Sequence, residues 1–348
     1  MLDQFDRYGA KLTIMAEVAE IAQYGRYASE HGTDRFHYGE IVTQLEDAIR
    51  RGHDVQLHLH PSYVNARTED GRWLQDWSEY DFARLGVERM TELVKFGKSF
   101  LENLLQRIDS SYRCHVFRAA NWSVVPSRNI VRVLAENGFH IDSSVFKYGK
   151  RNKGVRFDYS NAPSALVPWR AGDEDICTTS ETGRLWEFPI YAEQRWIGAF
   201  LTPQRIARAS LGALHRHRFA QSNDEATSVG APAKTKHGIF RKPWRVRKHA
   251  WKADFNQCTG TQLINALGRA EGAHTRPDVH LPFVLIGHSK LFSRFNEWSI
   301  QSLLEFIARR PERYQFSRFR DIDLAAVAQY WQQVEQAVAD VEPGVSRP

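Results

Sequence analysis

Hydrophobic positions change their period repeatedly along the 348-residue chain. Leu2, Phe5 and Tyr8 have helical spacing, and Gly9 then stops that helix. KLTIM reads as a short buried strand. Ile41, Leu45 and Ile49 recur at i, i+4, which predicts a helix through GEIVTQLEDAIRRGH ending near Gly52. DVQLHLHP follows as a strand ended by Pro61. Next come a long helix over Leu85 to Ile108, a strand in CHVFRA and a helix in NIVRVLAENGFH that closes at Gly138. HIDSSV and LWEFPIY read as strands. Further helices are expected over about Pro203 to Leu214, in TQLINALGRA, in WSIQSLLEFIARR and in the terminal LAAVAQYWQQVEQAVAD. PFVLIGH and YQFSRF are predicted as late strands. Helices alternating with short apolar strands are the pattern of an α/β fold on a parallel sheet or barrel.

Composition narrows the class. Hydrophobic residues make up 42%, charged residues 25% and aromatics 12%, a globular profile that excludes a disordered chain. No apolar run is long enough to span a membrane. The first residues, MLDQFDRYGAKLTIM, show no secretory signal. Cys114, Cys177 and Cys258 are scattered and form no CxxC pair, which argues against a disulfide framework or a cysteine zinc site. A cytoplasmic location is therefore expected. The net charge of +6 is uneven. Lys234 to Lys252, KTKHGIFRKPWRVRKHAWK, holds eight Lys/Arg and no acid, and the rest of the chain is slightly acidic. This basic insertion, at about 218–255, is either a solvated surface loop or a patch for nucleic acid, an acidic glycan or a membrane surface.

In parallel α/β folds the chemistry sits at the carboxyl ends of strands. Four predicted strands carry unusual groups there: His58 and His60, Arg118, Asp142, and His288. His58 and His60 stand at i and i+2, so their rings point the same way with Cα atoms ~6.5 Å apart. Two imidazoles so placed can converge on one metal ion; the competing reading is two strand histidines that only pack or bond to backbone. A third ligand is needed, usually a carboxylate, and the local sequence does not identify it. Trp122, Trp169, Tyr191 and Trp196 fall near strand ends or loops, where each is a sugar-stacking face or a core anchor.

LDQFDRYGAKLTIM, RRGHDVQLHLHP, FRAANWSV, GFHIDSSV, LWEFPIY and VLIGHSK form an ordered series. It resembles the polysaccharide deacetylase superfamily, the NodB-homology domain of carbohydrate esterase family 4, over about Met1 to Phe316. FDYSNAPSALVPWRAGDEDI is also similar to members found with surface-polysaccharide biosynthesis genes. The resemblance implies an irregular (β/α)7 barrel over 1–320, followed by a C-terminal helix and tail over 321–348. It implies a divalent metal, zinc foremost with cobalt, nickel or manganese also compatible. His58 matches the first metal histidine, after a turn here written GHDV. Ser62 stands where the second histidine usually falls, so His60 takes that place, as in HxHP variants. Arg118 matches the arginine that orients the catalytic carboxylate, Asn121 and Trp122 would line the sugar groove, Asp142 matches a position near the site, and His288 matches the general-acid histidine, held as imidazolium.

The family's first motif, a strand ending in Asp-Asp, supplies the general base and a metal ligand. No such motif precedes LDQFDRYGAKLTIM, and Asp3 and Asp6 lie inside a predicted helix. The resemblance thus implies a barrel lacking its first strand. The expected activity is hydrolysis of an acyl group, chiefly acetyl, from an amino sugar of a surface polysaccharide or its precursor. The alternatives are a glycan-binding relative without turnover, a non-sugar amidase, and anion or nucleic-acid binding through the basic segment. The expected partner is an acylated amino-sugar glycan, with no nucleic acid.

Overall fold

Parallel strands need long crossovers, and the periodicity supplies helices to make them. The computed structural model describes residues 1–69, 72–202, 248–274 and 279–341. After helix α1 (Leu2–Asp6), strand β1 (Thr13–Glu17) leads through α2 (Val18–His31) and α3 (Tyr38–Arg50) to β2 (Asp54–Leu59). The hairpin β3 (Arg67–Glu69) and β4 (Arg72–Leu74) precedes α4 (Val87–Leu105). Then come β5 (Val116–Ala119), α5 (Ser127–Glu136) and β6 (Ile141–Asp142). A second hairpin, β7 (Lys150–Arg151) with β8 (Phe157–Asp158), is followed by β9 (Trp169–Arg170) and β10 (Trp186–Glu187). β11 (Ala192–Arg195) pairs antiparallel with β12 (His249–Lys252), and α6 (Gly260–Ala273), α7 (Arg294–Ala308) and α8 (Leu324–Val341) complete the described elements.

The result is a mixed α/β fold around a six-stranded sheet in the order β1-β2-β5-β6-β10-β9. Every pair is parallel except β10 with β9. β2 is buried on both faces, as an inner parallel strand must be. Leu57 and Leu59 are inaccessible to solvent, and Gly97 of α4 lets that helix approach them: a Cβ there would stand 2.6 Å from Leu57 Cδ1. A second apolar cluster joins α6 and α7 through Leu263, Leu267, Ile300, Leu303 and Leu304, against Trp251 and Phe255. Thr259 and Gln262 form a reciprocal capping box that fixes where α6 begins. Val327 of α8 belongs to the main core, and Tyr330 bonds His274, so the last helix packs on the sheet domain rather than standing apart.

Most predicted elements form, with three differences. The KLTIM strand is shifted by two residues from the expected span, running over Thr13–Glu17, so that it reaches Glu17 and pairs with β2. PFVLIGH makes only single bridges, Val284 with Ile190 and Ile286 with Asp254. YQFSRF forms no strand: Tyr314 stacks near Phe306 and donates to Glu271, so its aromatics anchor singly instead of alternating across a ladder. The helix expected at Pro203 to Leu214 and most of the basic run lie outside the described residues. Among the described residues no helix is long and apolar enough to cross a membrane.

Candidate metal centre

Register places the key groups. Glu17 ends β1 and lies opposite His58 of β2, and His58 lies opposite Arg118 of β5. His60 follows β2 just before Pro61 turns the chain away. Glu17, His58 and His60 each offer one ligand atom, and these atoms lie within 4.8 Å of one another. The three side chains are mostly buried yet keep some solvent access, at 16%, 21% and 29%. Glu17 was not anticipated as a ligand. Its sequence signal is an acid that closes an apolar strand just before a helix.

The imidazoles are held by different partners. His58 Nδ1 lies 2.8 Å from the Arg118 carbonyl, which can only accept, so Nδ1 carries the hydrogen. The neutral ring then turns its Nε2 lone pair towards Glu17, with Oε2 at 3.9 Å. Burial pushes the His58 pKa down to about 4, against the opposing pull of Glu17, so the ring is neutral at pH 7. A main-chain carbonyl fixing the far nitrogen of an imidazole is the support that metal-binding histidines use. His60 Nδ1 stands 2.5 Å from Glu17 Oε2, and its backbone N–H donates to Glu17 Oε1 at 3.0 Å. One carboxylate with two imidazoles, one preset in tautomer, is a donor set that fits a divalent ion such as zinc. The three residues could therefore hold a metal.

Beneath them lies a buried charged layer. Arg118 donates from Nε to the Ser143 carbonyl at 2.7 Å and from Nη2 to Ser143 Oγ at 2.8 Å. Burial lowers its pKa to about 10, while Asp142 and Glu187 pull it back up. Asp142 and Glu187 face each other across β6 and β10 and are fully buried. Asp142 accepts from Ser144 N and Oγ, and Glu187 Oε1 accepts from Val145 N at 3.0 Å. Burial raises both carboxyls, Glu187 the further, with Asp142 adding to its rise. Oε2 of Glu187 has no donor facing it, as expected of a carboxyl whose pKa burial raises. Asp142, expected near the chemistry, is thus sealed under Ser144 and acts on the loop rather than on a ligand.

Asn121, Trp122 and His288 lie outside the Glu17, His58 and His60 group. Asn121 and Trp122 both adopt left-handed backbone, at φ 56°, a strain of about 1–3 kcal/mol each that the surrounding bonds must offset. Tyr80 and Arg151 donate to Asn121 Oδ1 at 3.1 and 3.2 Å, and Tyr159 donates to the Trp122 carbonyl. The Trp122 ring lies 6.4 Å from the His288 ring, nearly perpendicular to it, with Lys252 Nζ 3.2 Å from its centroid. Lys252 was not anticipated here. His288 is exposed and its N–H donates to Asn256 Oδ1. Partial burial lowers its pKa; Lys290, Lys252 and Arg118 lower it further and Asp254 opposes them. The ring is therefore neutral, not the standing imidazolium expected. Trp169 and Tyr191 are core residues, Trp169 donating to the Ile176 carbonyl, whereas Trp196 is 51% exposed. The three cysteines are buried, and burial pushes the Cys114 thiol up to about 12.

No protein-family model matches the chain, and no curated protein matches it.

Proposed function

We propose that the chain is a metal-dependent hydrolase that removes an acyl group from an amino sugar of a surface glycan or its precursor, on a barrel of the deacetylase type. The observation that carries this reading is the meeting of Glu17, His58 and His60 at the carboxyl ends of adjacent parallel strands, where such folds do chemistry. The motif series from GHDVQLHLHP to IGHSK supports it. Glu17 supplies the acidic ligand that such a site requires.

A bound divalent ion would supply Lewis acidity to the acyl carbonyl. The chain's own residues do the rest. Arg118 presents its carbonyl to His58 and keeps that ring's Nε2 free of a proton. His288, neutral at rest, is suited to take a proton from an attacking water and to return it to the leaving nitrogen, so one ring serves both steps. Trp122, whose ring lies 6.4 Å from that of His288, offers an apolar surface for a sugar ring on the side not covered by Lys252.

The test is acetate release from N-acetylglucosamine oligomers by the zinc-loaded protein, with small linear amides as comparison. The reading predicts turnover of the sugar, loss of turnover with metal in His58→Ala, and slower turnover with metal retained in His288→Ala. A fully metallated protein that releases no acyl group from any amino sugar would overturn it.

A further inference from the structure

At the amino ends of β5 and β6, away from Glu17 and the histidine pair, lies a hollow of about 580 Å³ lined by Lys98, Ser111, Arg113, His115, Gly138, His140 and Arg320. Apart from Ser111 and Gly138, its lining side chains are nitrogen bases. They come from α4, from the lead-ins to β5 and β6, and from the turn before α8.

Their charge is poorly neutralised. Lys98 Nζ donates to the carbonyls of Asn137 and Gly138 at 3.2 and 3.3 Å, but the Glu102 carboxylate is 3.9 Å away. Arg320 Nη1 is likewise 3.9 Å from Asp109. Both acids are engaged elsewhere, Glu102 with Cys114 N and Asp109 with Ser111 N and Oγ. Arg113 directs Nη1 to the Ser110 and Tyr112 carbonyls, which leaves its Nε and Nη2 donors over. His115 Nδ1 donates to the Arg113 carbonyl at 3.0 Å, so Nε2 is its remaining valence, and the His140 ring stands 6.1 Å from it. Three cations and two imidazoles around one hollow disfavour a metal ion and suit an anion with several acceptor oxygens.

We propose that this hollow is a binding site for a phosphate group, free or as an ester, separate from the metal centre. Arg113 and Arg320 supply forked donors, Lys98 a point charge, and the histidines hydrogen bonds at the rim. The site does not depend on the hydrolase reading.

The experiment is titration of the full chain with inorganic phosphate and with methyl phosphate, at ionic strength matched with chloride. Saturable binding is expected, weakened roughly tenfold or more by R113Q combined with H140Q and unchanged by His58→Ala. Tighter binding of methyl phosphate assigns the site to an ester, and tighter binding of inorganic phosphate to the free ion. Loss of binding in His58→Ala with retention in the double variant would place the anion at the metal centre and overturn the proposal. So would an equal response to chloride, or no saturation at millimolar concentration. Both substitutions fall on exposed side chains, and an unchanged circular dichroism spectrum confirms that the variant folds.

Discussion

The two ends of one sheet use histidine in opposite ways. At the carboxyl ends, His58 and His60 face a carboxylate, and a main-chain carbonyl fixes the His58 ring. At the amino ends, His115 and His140 face each other and three cations, and no carboxylate stands between the rings. An imidazole is a metal ligand or a donor to anions according to what sits across from it, not according to its own identity. The residue that separates the two cases is Glu17, brought to His58 by the pairing of β1 with β2.

The sharpest way to break the comparison is to remove that acid. Glu17→Ala, like His58→Ala and His60→Ala, should lower metal affinity by more than the roughly 10–100-fold typical of outer-shell changes. Metal stoichiometry by plasma mass spectrometry checks this, and full occupancy in Glu17→Ala would dissolve the contrast between the two ends. Next in size is the buried layer. Asp142→Asn removes the larger of the two carboxyl influences on Arg118 and should cost about 3–5 kcal/mol in chemical denaturation. Glu187→Gln keeps a neutral donor in place and should cost under ~1 kcal/mol. Equal losses would show that Glu187 is not neutral in the folded chain.

A pH series tests the neutrality of His58. Its folded pKa of about 4 lies below the ordinary 6.5, so between those values the unfolded chain binds a proton that the native chain does not. Relative to His58→Gln, the metal-free protein should lose stability as pH falls from 6.5 towards 4. A constant difference across that window would mean that the ring is not held neutral. The smallest effect is expected at the other end: Arg113→Gln and His140→Gln should each change unfolding free energy by no more than about 0.5 kcal/mol, because their side chains are exposed and pack little. A larger loss would make the amino-terminal cluster structural.

Much of the fold was legible because its signals are local. The i, i+4 spacing of Ile41, Leu45 and Ile49 marks α3, and Pro61 ends the strand that carries the histidines. The HxH pair was legible for the same reason, since alternation along a strand puts both rings on one face. YQFSRF misled because an aromatic run has the composition of a strand whether or not a neighbour exists to pair with it.

The sequence by itself determined the alternation of helices and strands, the two imidazoles at a strand end and the unequal spread of charge, all of which follow from spacing within a few residues. Only the tertiary structure decided that Glu17 meets the histidine pair, that Asp142 and Glu187 are buried face to face with both carboxyls raised, that burial lowers the His288 pKa, and that five bases from distant segments surround one hollow. Those outcomes depend on strand register and on burial, which sum contacts between residues far apart in the chain and leave no mark in any single stretch of it.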